Sequence, residues 1–217
     1  MKKSIITLSL IVALIITLVR PALANDEKYR VAMEKNIQAV YEAESITQLQ
    51  QSVNAFERIG DAEKTKWEPY YYAAFGCIMM ATRENERNQK DAYLDQAMAT
   101  VRKAKAIAPG ESEIIAMEGF VHMIRVTVDP AVRGAQFSSE AMQAFAKAVE
   151  LNPENPRALA LLAQMQFGTA QFFGSSTAEA CGTATVALEK FETNQPESTV
   201  APSWGRQMAE ELTAQCN

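Results

Sequence analysis

The chain has 217 residues, is 48% hydrophobic and 22% charged, and carries a formal net charge of −5. That apolar fraction excludes a disordered chain, and 35 alanines against 9 glycines and 8 prolines lean the composition towards helix. One histidine and three cysteines leave little material for a metal centre or a histidine-based triad.

Met1-Lys2-Lys3 is followed by an uncharged stretch from Ser4 to Val19, then by Ala22-Leu23-Ala24 and the polar Asn25-Asp26-Glu27. A basic start, an apolar middle and a small-x-small site predict a signal peptide over 1–24, cleaved after Ala24. The competing reading is an uncleaved membrane anchor, but the stretch is shorter than the roughly 20 residues a spanning helix needs. Loss of 1–24 takes away Lys2, Lys3 and Arg20 and no acid, leaving 18 basic and 26 acidic side chains, net −8. Such a chain repels nucleic acid and anionic lipid. The expectation is an exported, periplasmic protein with no transmembrane segment after cleavage; an extracellular location is the alternative.

Apolar residues recur at helical spacing, and the alternation of strands is absent. Tyr29, Met33, Ile37, Val40 and Tyr41 predict a helix over 26–43. Leu49, Val53, Phe56 and Ile59 predict a second, ended at Gly60-Asp61. Pro69 opens a third, and 83–89 reads as a loop or solvated helix end. Further helices are expected over 92–108 and 111–128, the latter closed by Asp129-Pro130. Ser138 or Ser139 caps the next, which runs to Leu151. The last three are expected over 155–172, 177–193 and 201–215. Nine helices with short connections favour antiparallel neighbours.

Internal similarity sharpens this reading. Ala97, Val101, Ala104 and Pro109 have the same offsets as Ala141, Phe145, Ala148 and Pro153; Ala184, Leu188, Phe191 and Pro196 repeat them more loosely. The preceding helices carry Tyr72-x2-Phe75-Gly76-x2-Met79, a weaker Ile115-x2-Glu118-Gly119-x2-His122, and Leu159-x2-Leu162-Ala163-x2-Gln166. Together these resemble the tetratricopeptide (TPR) repeat, Trp-x2-Leu-Gly-x2-Tyr followed by Ala-x3-Phe-x2-Ala-x4-Pro. Small residues let paired helices approach, a large one fills their groove, and proline ends the unit. The proline spacings are 44 and 43 residues where the family has about 34. The surplus is expected as enlarged loops at 83–91, 129–138 and 170–180. The fold class is therefore all-α, a TPR-like array with a capping hairpin over 25–66, three helix pairs over 67–196 and a final cap over 197–217.

Motifs for chemistry are few. No Cys-x2-Cys, His-x3-His, phosphate-binding glycine loop or Gly-x-Ser-x-Gly occurs, so no catalytic residue, metal or cofactor is expected. His122 reads as packed within its helix, and Glu84/Glu86 and Glu210/Glu211 as solvated faces. The resemblance implies a non-catalytic module that binds a protein or peptide partner of the cell envelope on its concave face. That face would be lined by Tyr70, Glu113 and Arg157, then Cys77, Phe120 and Gln164, with Met80, Met123 and Phe167 deeper; the last three read equally well as core. Small-ligand binding at the long loops is the alternative, suggested by Gln136-Phe137 and Gln171-Phe172-Phe173; a hydrolase with an unrecognised site is a more remote one.

In an oxidising compartment two nearby thiols tend to pair. The last two helices form a hairpin turning near Ser198, with Cys181 17 residues before it and Cys216 18 after. Equal rise brings the two to one height, predicting a Cys181–Cys216 disulfide and a free Cys77; three unpaired cysteines are the competing reading.

Overall fold

The structure, a computed structural model, describes residues 26–196 and 198–216; the leader read at 1–24 lies outside them. The helices are α1 (26–41), α2 (Ile46–Glu63), α3 (Glu68–Arg83), α4 (Arg87–Ile107), α5 (Ser112–Val128), α6 (Pro130–Leu151), α7 (Pro156–Phe173), α8 (Ala178–Thr193) and α9 (Arg206–Gln215). The described residues contain no strand.

Successive helices from α2 to α9 pack on one another, and α3 also meets α5, α5 meets α7 and α7 meets α9. The first helices of the pairs thus form an inner layer and α4, α6 and α8 an outer one. This is a TPR-like helical array. The layering follows from polarity around each helix. Every residue of α3 from Pro69 to Ile78 is buried, so the helix has no polar face and must lie centrally. By contrast α4 buries only a stripe, Leu94, Ala97, Thr100, Val101 and Ala104.

The small residues of the repeat set the helix separations. A Cβ at Gly119 would lie 2.5 Å from Phe145 Cε1, and one at Gly76 would lie 2.7 Å from Val53 Cγ2. Phe145, Ala141 and Ala148 are all fully buried in the α5–α6 seam. Gly60 has the same role: it lies inside α2, where a Cβ would meet the Tyr70 ring at 2.7 Å, and the helix runs on to Glu63. The stop expected at Gly60-Asp61 is therefore a close approach instead.

The surplus residues are mostly helix, not loop, at all three places. Asp129 ends α5 and also begins α6: its side chain accepts from Val132 N, and Pro130 occupies the first turn, where its missing N–H is harmless. The helix expected from Ser138 thus starts two turns earlier. At the other side α7 continues to Phe173 and stops at Gly174, whose φ of 64° suits glycine. At the third place, Glu86 caps α4 from Arg87, which shortens the loop expected at 83–91. The final helix is shorter than expected. Pro202 biases Ala201 away from helical geometry, Gly205 has φ 103°, and α9 starts only at Arg206.

Cys181 on α8 and Cys216 at the end of α9 form a disulfide, with Cα atoms 5.9 Å apart. Cys77 is a buried free thiol, its pKa pushed up by burial and then by Glu57. Denaturing the unreduced protein should expose one titratable thiol, contributed by Cys77. A count of three would contradict the bridge.

Candidate functional site

The concave face is divided into a closed part and an open part. In the closed part, residues 200–205 run across α3, α5 and α7. Tyr72 donates from its hydroxyl to the carbonyls of Val200 (3.2 Å) and Ala201 (3.1 Å). Trp204 stacks on Phe120, with centroids 5.6 Å apart, and lies tilted against Phe75 at 5.1 Å. Its Nε1 donates to Tyr71 Oη (3.0 Å), and that hydroxyl donates to Glu113 Oε2 (3.1 Å). Arg157 completes the chain, its Nε and Nη2 lying 2.8 and 2.7 Å from Glu113 Oε1. Burial disfavours the guanidinium charge, but the Glu113 carboxylate more than offsets it and holds Arg157 above its ordinary pKa. Burial, and then Glu113, also push Tyr71 well above the usual phenol value, so it remains a donor.

The residues expected to line an open groove therefore separate. Glu113 and Arg157 are 8% and 5% exposed and satisfy each other. Tyr70 is buried and donates to Asp61 Oδ1 (2.8 Å), while Cys77 and Met80 are fully buried. Phe167 packs with Ala163, Ala180, Ala184 and Leu212. Only Phe120, Met123 and Gln164 face a cavity. Two causes act: a segment far along the chain supplies an indole, backbone carbonyls and Gly205 around Glu113, Arg157 and Phe120, while Tyr70 packs onto Gly60 of α2 and Phe167 onto α8 and α9. Pro202-x-Trp204-Gly205 was the available sequence signal.

Beyond the strap the face opens into a cavity of about 670 Å³. Its first wall is the second half of α5, including Met123, Ile124 and Thr127; the second is the early part of α6, with Ala131, Gly134, Ala135 and Ser138. Gly168, Thr169, Phe172 and Phe173 from the late part of α7 form a third wall, and Met208 and Glu211 of α9 complete the lining. The two added turns of α6 thus form one wall of the space, and the last turn of α7 another. Phe172 and Phe173 lie at its margin, 78% and 74% exposed, with their rings in an edge-on pair at 5.1 Å. Among the described residues Glu211 is the one ionisable side chain in the lining. The size suits a small-molecule pocket, and exposed aromatics beside an apolar cavity mark a binding surface.

The lining hydroxyls are occupied locally. Thr127 donates to Ile124 O (2.8 Å), Ser138 to Ala135 O (3.3 Å) and Thr169 to Met165 O (2.8 Å). His122 lies at the α5–α6 seam, 2.9 Å from Glu140 Oε2 without hydrogen-bond alignment, and its ring stacks on Phe137. Burial, opposed by Glu140, holds its pKa below the ordinary value. Among the acidic pairs, Glu84 and Glu86 accept backbone N–H groups, and Glu210 pairs with Arg206. No group of three or more His, Cys, Asp or Glu placed to hold a metal occurs among the described residues.

No protein-family model matches the chain, and no curated protein matches its sequence. Solved structures do. A thermophilic TPR protein from Thermus thermophilus superposes with a TM-score of 0.58 at 13% identity, over 90% of this chain and 94% of that one, a likeness of fold. The HusA haemophore from Porphyromonas gingivalis superposes with a TM-score of 0.78 at 27% identity, over 87% of this chain and 92% of that one.

Proposed function

We propose that this protein is a non-catalytic carrier of a large, largely apolar, ring-containing small molecule, with haem the first candidate, and that it works in the cell envelope after export. The observation that carries the reading is the cavity between α5, α6 and α7, with two exposed phenylalanines at its margin. The likeness to a haemophore over most of both chains supports haem over other apolar ligands. Because Glu211 alone brings charge to the lining, the ring system would be held by apolar burial, and acidic groups on the ligand would face solvent at the mouth. The lack of a catalytic role is supported by the lining hydroxyls, each of which donates to a backbone carbonyl of its own helix. Export is supported by the leader pattern and by the Cys181–Cys216 bridge. No helix of the described residues is long and apolar enough to cross a membrane.

A peptide laid along the concave face would have to displace Trp204 from Phe75 and Phe120, so the small-molecule reading accounts better for the open part. The test is a titration of the mature chain with iron protoporphyrin, followed by the Soret band. Saturable binding at micromolar or lower concentration is expected. Replacing Phe172 and Phe173 together by Ser should weaken it about ten-fold, as loss of two aromatic contacts of ~0.5–1.5 kcal/mol each implies, with little change in melting temperature because both rings are exposed. A featureless titration would remove haem as the ligand.

A further inference from the structure

Resting on that reading, we propose that Gly134 and Gly168 determine the shape of ligand the cavity admits: they are the points on two different helices of its lining where a thin, planar ring system lies directly against backbone. Glycine inside a helix destabilises it by about 1 kcal/mol relative to alanine, so a local reason is worth seeking where a helical glycine also lines a seam or a cavity. Three have one in packing. Gly60, Gly76 and Gly119 each face a side chain at 2.5–2.7 Å from the position of an added Cβ. Gly134 and Gly168 have no such reason. Each lies within a helix, α6 and α7, and a Cβ added at either would meet no atom within 4 Å.

Both nevertheless line the same cavity from different helices. Gly134 sits in a run of small residues, with Ala131, Ala135 and Ser138, that gives α6 a smooth wall. Gly168 comes one turn before the Phe172–Phe173 pair on α7. A small-residue stripe alone would say nothing about a ligand. Here the cavity that both bare positions line supplies the second observation, and bulk added at either would project into open space with no atom within 4 Å. Glycine where a ligand approaches backbone closely is a use that repays the loss of helix stability. The chemistry that fits is a flat aromatic macrocycle or polycycle that lies close against bare backbone. A globular or branched apolar molecule does not need bare backbone on two helices of the lining.

Gly182 provides a control. It lies in α8 on an exposed face, also with no atom within 4 Å of an added Cβ, and does not line the cavity. The experiment compares Gly134→Leu, Gly168→Leu and Gly182→Leu with the unmodified mature chain, using iron protoporphyrin as probe and recording both Soret titrations and melting temperatures. All three substitutions favour helix, so melting temperatures should hold or rise. The two cavity variants should lose at least about ten-fold in affinity, equivalent to ~1.4 kcal/mol, and the α8 variant should bind unchanged. Gly134→Ala and Gly168→Ala form a milder pair, expected to lose about three-fold, and decide the matter if a leucine variant fails to fold. If the unmodified chain binds and both cavity variants bind equally well, the slot is refuted while the carrier reading stands. If the unmodified chain does not bind, the haem assignment has failed first, and the slot for this ligand falls with it.

Discussion

Replacing Phe145 by Ala should destabilise the protein by about 3–5 kcal/mol, the range for emptying a fully buried aromatic site. The ring is completely shielded and is pressed against Gly119 on α5, with Ala141 and Ala148 on either side along α6. Gly119, Ala141 and Ala148 have no rotatable side chain with which to refill the space. For a chain of this size each kcal/mol lowers the melting temperature by about 2–4 °C, so a fall of at least ~6 °C is expected in a thermal scan. Urea unfolding should show a lower midpoint with an unchanged slope. A loss below about 1 kcal/mol would mean that α5 and α6 are not joined through this ring. The same seam positions the cavity wall, because α6 carries both Phe145 and Gly134.

Arg157→Met should have an effect of similar size, about 3–5 kcal/mol, and for an electrostatic reason. Arg157 and Glu113 side chains are only 6% and 10% exposed, and each satisfies the other through more than one contact. Taking away the guanidinium leaves a buried carboxylate with the Tyr71 hydroxyl as its remaining side-chain donor. The double variant Arg157→Met/Glu113→Leu removes both charges and should recover most of the loss, since replacing a whole buried pair by apolar residues is often near neutral. Chemical denaturation of the two singles and the double forms the cycle that reads the coupling. An Arg157→Met loss under about 1 kcal/mol, or no recovery in the double variant, would show that the pair is not a buried structural bridge. The prediction is opposite to what an open groove implies, where Arg157→Ala and Tyr70→Ala would weaken a partner and leave the fold intact.

That reversal shows how the legible and the illegible parts of this protein differ. The all-helical array could be read from residues close in sequence. Ala141, Phe145 and Ala148 recur one or two turns apart, and the stops at Pro109 and Pro153 are local backbone restrictions. The ambiguity at Asp129-Pro130 was also local, but it has two answers. Proline excludes the preceding residue from helix and at the same time favours starting one, and aspartate is a good N-cap. Which answer holds is decided by whether the new turns find something to face, and here they line the cavity together with α7.

The site lay further from reach. Phe172 and Phe173 could be noticed as an aromatic pair next to a Gly-Ser-Ser-Thr turn, and Phe120, Met123 and Gln164 as inner-layer positions. Nothing in their spacing told whether the face they share was open. Sequence by itself determined the order of the helices and the small-residue seams, because those follow from backbone preferences and from periodic burial of apolar faces. Tertiary structure alone decided that one half of the concave face is sealed and the other is a pocket. The sealing depends on Trp204 meeting Tyr71, 133 residues away, and on Tyr72 meeting the carbonyls of Val200 and Ala201. Such contacts arise because an indole and unpaired carbonyls must find partners when buried, and periodicity along the chain carries no record of where those partners are.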